Sequence, residues 1–176
     1  MTFQPDYRHM LDVLANRRPA RLPLYEHKID PTIMEQVLGI HFAALEQGDE
    51  TDLHEFFAQV CRFYREMTYD TVSWEVTITR SLPDHGAIYG SRKGPIQTRA
   101  DFETYPWDDV PKRFWETADR KFRAMGACLP PGMRAIGGPG NGVFEISEDL
   151  VGFQYLAYML ADDPELFADL FRRIGD

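Results

Sequence analysis

A glutamate and a histidine stand side by side at Glu26-His27, directly after the short apolar run Leu22 to Tyr25. Imidazole ligates metals and moves protons near neutral pH, and a carboxylate such as Glu26 or Asp30 can orient it. Glu75 ends a second run, Thr71 to Val76, and Glu145 follows a third, Met133 to Ile136. Carboxylates gathered at one rim raise one another's pKa and suit either acid–base work or a hard cation. The competing reading is plain in each case: a polar strand end bonded to its own loop, or a solvated side chain.

The stretch MRAIGGPGNGVFEISEDLVG, Met133 to Gly152, organises the rest. Glycines at 137, 138, 140 and 142 allow a sharp turn and a close approach by a ligand. A plain strand-to-helix connection explains the same residues. A dinucleotide fingerprint fits poorly, because Pro139 breaks its spacing and Glu145, Glu148 and Asp149 would repel a pyrophosphate. Asp149 reads best as a helix N-terminal charge. Tyr89, Tyr105 and Trp107 could cover a flat macrocycle or simply pack, and His85 could belong to a lid. His9, His41 and His54 read as surface residues, Cys61 as core, and nothing marks Cys128 as reactive.

Helical spacing positions these groups. Asp6, Asp30, Thr51 or Asp52, and Asp163 begin periodic apolar runs, with prolines at 31 and 164 in first turns. Phe114 to Met125 and Leu150 to Leu160 read as further helices, and Ile88-Tyr89 with Pro95-Ile96 as a hairpin or lid. Strands alternating with helices indicate an α/β fold with a parallel sheet, and residues 1–176 read as one domain. Three core strands are too few for a closed eight-stranded barrel, and the chain stops where another strand is expected. If the runs are barrel strands, Tyr25, Trp74 and Ile136 end side by side. His27 and one of Glu75 or Glu145 should then line one cavity within about 10 Å. An open sheet edge also leads us to expect self-association.

The net charge is −9, from 19 basic and 28 acidic residues, with no basic run. That speaks against nucleic acid and anionic membranes as partners. The two cysteines have no framework spacing, and MTFQPDYRHM lacks the layout of a secretion signal, so a soluble cytoplasmic protein is expected.

Three runs together resemble the uroporphyrinogen decarboxylase superfamily: YRHMLDVLANRRPARLPLYEH, PIQTRADFETYPWDD and GNGVFEISEDLVGFQYLAYMLADDPELFADLF. The resemblance implies a (β/α)8 TIM-barrel type fold, of which this chain corresponds to the N-terminal half. It also implies one of two chemistries on a small-molecule substrate. Decarboxylases of porphyrin biosynthesis shorten uroporphyrinogen side chains without a cofactor. Corrinoid-dependent methyltransferases use zinc to activate a thiol, with the corrinoid carried by a partner protein.

The decarboxylase pattern has an arginine-bearing run after the first strand, whereas Lys28 and Thr32 stand at the arginine positions here. A lysine offers a point charge without the bidentate fork. The decarboxylase aspartate falls near Thr77 to Thr79 and its tyrosine near Glu148, both mismatches. The methyltransferase reading therefore fits better, although no His-x-Cys zinc motif is present, so the zinc ligands are expected mainly outside this chain. His27, Glu26, Glu75 and Glu145 are the expected catalytic residues, with His27 a candidate metal ligand. Lys28, Asn141, Glu148 and Tyr89 are expected to contact substrate. Uroporphyrinogen decarboxylation and a catalytically silent barrel fragment are the alternatives.

Overall fold

The computed structural model describes residues 3–176. They form two compact units, Met1–Glu75 with Ala118–Gly138 and Val76–Thr117 with Pro139–Asp176.

In the first unit, aspartates start the helices. Asp6 Oδ1 accepts the Arg8 N–H at 3.0 Å and opens α1 (Arg8–Leu14), of which only Met10 is buried. Asp30 accepts the Thr32 N–H at 2.8 Å ahead of α2 (Pro31–Leu38), which Gly39 closes at φ 69°. Asp49 accepts the N–H groups of Thr51 and Asp52 and starts α3 (Glu50–Glu66). The apolar stripe of α3 makes the core with Met34, Val72, Met125 and Met133. Phe56 and Phe57 each set a ring edge-on to Trp74, with centroids 5.2 Å apart. That packing anchors β1 (Thr71–Glu75). β1 pairs in parallel with β2 (Arg134–Gly138), from Thr71 opposite Arg134 to Glu75 opposite Gly138.

In the second unit, α4 (Arg99–Thr104) is capped by Thr98, and α5 (Asp109–Cys128) begins. α6 (Val143–Val151), α7 (Phe153–Asp162) and α8 (Pro164–Gly175) follow. Leu82, Ile96, Leu150, Leu156, Leu166 and Leu170 are central to its core. The single helix expected over Leu150 to Leu160 is two helices, broken at Gly152 with φ 95°. A Cβ there would lie 2.5 Å from the Arg92 carbonyl oxygen, so only glycine fits.

The expected half-barrel is not found. The chain is 58% helical, with two parallel strands in one sheet among the described residues. Leu22 to Tyr25 forms no ladder: Pro23 has no N–H to give, and Leu22 is 79% exposed. The expected hairpin fails for a different reason. The Gly94 and Ile96 N–H groups donate to the carbonyls of Val151 and Leu150 at the end of α6, at 3.0 and 2.9 Å. A 3₁₀ turn, Ala87–Tyr89, takes the place of the first hairpin strand. No helix among the described residues is long and apolar enough to cross a membrane.

Candidate functional site

Two side-chain contacts tie residues 21–27 to β1 and to the residue before it. At one end the Arg21 guanidinium donates twice to the carboxylate of Asp70, each bond 2.5 Å long. The same buried carboxylate accepts the Asp6 N–H at 2.6 Å. At the other end His27 Nε2 lies 3.2 Å from Oε1 of Glu75, the last residue of β1. The Tyr25 hydroxyl lies 3.3 Å from His27 Nδ1. The Glu26 carboxylate acts on Tyr64 and Tyr69, whose phenols are pushed up chiefly by burial and further by that charge, and Tyr25 adds to the effect on Tyr64.

Glu75 is 17% exposed and His27 67%, so the pair is open to solvent on its histidine side. The acceptor half is thus held by the sheet while the imidazole faces outward. The Tyr25 hydroxyl takes up Nδ1 and the Glu75 carboxylate lies beside Nε2. Among the described residues no three His, Cys, Asp or Glu side chains are grouped to hold an ion. This chain's own residues therefore do not fit the zinc that the resemblance implies. Lys28 is exposed and forms no ion pair among the described residues.

The glycine-rich turn belongs to the second unit and has a network of its own. Thr79 Oγ1 donates to Asn141 Oδ1 at 3.0 Å, and Asn141 Nδ2 lies 3.4 Å from Glu145 Oε1. Glu145 Oε2 accepts the Gly142 N–H at 2.9 Å. Glu145 thereby occupies the N-terminus of α6, the place an anionic ligand would take. Glu148 is half-buried and Tyr89 is 78% exposed. Of the expected site residues, His27 and Glu75 meet in the first unit, and Asn141 and Glu145 meet in the second.

Two residues escape a reading by residue type. The Tyr25 hydroxyl reaches the ring of His27 two residues on, a contact that residue type alone does not announce. Asp149 is fully buried in α6, and its Oδ1 accepts the N–H groups of Gly86 and Ile88 at 2.7 and 3.2 Å. It holds the 86–88 turn rather than serving the helix N-terminus. No protein-family model, curated protein or solved structure matches this chain.

Proposed function

We propose that the chain is a small-molecule enzyme related to the uroporphyrinogen decarboxylase superfamily, nearer to its corrinoid-dependent methyltransferases than to its decarboxylases. One observation carries the choice: the imidazole of His27 is held against the carboxylate of Glu75, next to Lys28 and Thr32, which stand at the arginine positions of a decarboxylase. The Glu75 carboxylate beside the imidazole repels the carboxylates of uroporphyrinogen. The same pair suits taking a proton from a neutral or cationic substrate, because Glu75 stabilises the imidazolium that forms. In this reading the corrinoid arrives on a partner protein. Zinc, where the reaction needs it, is liganded by groups beyond those described above, and the two free thiols suit a reducing cytoplasm. Leu14 and Leu22, 75% and 79% exposed, support self-association.

The test offers the purified chain methylcobalamin with 2-mercaptoethanol and, separately, uroporphyrinogen. The expected result is a methyl thioether, detected by mass spectrometry and lost in His27→Ala, with no coproporphyrinogen. Coproporphyrinogen at enzymatic rates would overturn the choice. Neither product would favour the silent reading.

A further inference from the structure

The Tyr25 hydroxyl is hydrogen-bonded to His27 Nδ1, and the Glu75 carboxylate lies against Nε2 as a charge contact. The Glu75 carboxylate has no proton to give, so its charge 3.2 Å from His27 Nε2 favours the tautomer that carries the hydrogen there. Neutral imidazole holds one ring proton, so Nδ1 is bare and accepts from the Tyr25 hydroxyl 3.3 Å away. We propose that Tyr25 is the outer member of a proton relay, Tyr25–His27–Glu75, with Glu75 as the positioning residue that selects the tautomer. The proposal rests on the enzyme reading above and deepens it by naming the substrate group: an acidic X–H, such as a thiol, presented to the Tyr25 oxygen.

The step balances without a redox partner. The substrate S–H bond breaks, its proton bonds to Tyr25 Oη, and the phenolic proton already on Tyr25 passes to His27 Nδ1. Thiolate and imidazolium result, and the Glu75 carboxylate 3.2 Å from Nε2 neutralises the new charge. An ordinary thiol lies about two pKa units above an ordinary imidazole, so the transfer is uphill by about that much until the thiolate is consumed. Tyr25 is 50% exposed, so its hydroxyl can reach a substrate. Glu26 and Lys28 flank the relay. Glu26 acts on the tyrosines of α3 and of the turn after it, and Lys28 is solvated, so neither interrupts the relay.

The test reads the imidazole directly and needs no substrate. Long-range proton–nitrogen spectra of the uniformly ¹⁵N-labelled chain are recorded about two pH units above the ordinary histidine value, with His27→Asn identifying the resonances. The relay predicts a protonated Nε2 and a bare, hydrogen-bonded Nδ1. Tyr25→Phe should move Nδ1 downfield and leave Nε2 in place, whereas Glu75→Ala should redistribute the proton between the two nitrogens. A proton on Nδ1 in the unaltered chain, or unchanged shifts in Tyr25→Phe, would overturn the relay whatever the methyl-transfer assay shows. Predicted shifts without methyl transfer would instead overturn the methyltransferase reading and leave the relay standing. Where methyl transfer occurs, Tyr25→Phe should lower kcat about tenfold or more with KM unchanged, a split that a purely structural role would not produce.

Discussion

Removing the Asp70 carboxylate should loosen the segment that carries His27. Asp70 is fully buried and accepts three hydrogen bonds, two from Arg21 and one from the Asp6 N–H. Breaking a buried ion pair by deleting one partner costs about 3–5 kcal/mol when the other charge stays buried. Arg21 is 37% exposed, so in Asp70→Ala it rehydrates and part of that penalty is returned. The Asp6 N–H then loses a charge-assisted bond worth about 1.5–3 kcal/mol. Together these give about 3 kcal/mol for Asp70→Ala. Arg21→Ala should cost at least as much, since it strands a fully buried carboxylate. The double substitution should cost little more than either single one, a coupling of about 2 kcal/mol. Urea titration checks this, following Trp74 emission in a Trp107→Phe, Trp115→Phe background so that the signal comes from the first unit. Single-variant losses below about 0.5 kcal/mol, or additivity within that margin, would refute the reasoning.

The remaining predictions concern pH, thiols and one glycine. The Glu35 carboxylate is held below its usual range by the N–H groups of Ala43 and Phe42, with His41 adding to the effect. Its stabilising contribution should be complete above the ordinary glutamate value and be lost as pH falls through the lower folded value. The urea midpoint of Glu35→Gln should therefore differ from the unaltered chain near neutrality and converge with it in acid. Burial pushes the Cys61 thiol up to about 12 and raises Cys128 less far, so a disulfide reagent should label Cys128 first and Cys61 only on unfolding. Comparable labelling rates in the folded chain would contradict this. Gly152→Ala should destabilise the second unit by about 2 kcal/mol, from the left-handed φ and the 2.5 Å approach to Arg92, as read by the urea midpoint.

Where a structure is specified by neighbours in sequence, the amino acids show it. Asp30-Pro31 and Asp163-Pro164 each supply a cap and a first-turn proline, and α2 and α8 start there. The long apolar spacing of α3 needs no distant partner to be read. Strands are different, because their hydrogen bonds are made elsewhere in the chain. Leu22 to Tyr25 has strand composition yet no ladder, and the amides expected to close a hairpin at Gly94 and Ile96 are taken by the end of α6. The same division governs the site. Glu26-His27 stands out by residue type, but nothing local says that Glu75 is the partner of His27, or that Glu26 acts on Tyr64 and Tyr69.

That partnership follows from two ties acting on one stretch. Arg21 to Asp70 fixes where the stretch starts, and His27 to Glu75 fixes where it ends. With both ends set, His27 is the residue brought against Glu75, and the Tyr25 hydroxyl reaches its ring from two residues before. A slip that put Glu26 in the place of His27 would set two carboxylates side by side. The buried Arg21–Asp70 pair opposes that slip from the far end of the segment. The geometry of the candidate site is therefore set in part by a pair that takes no part in its chemistry.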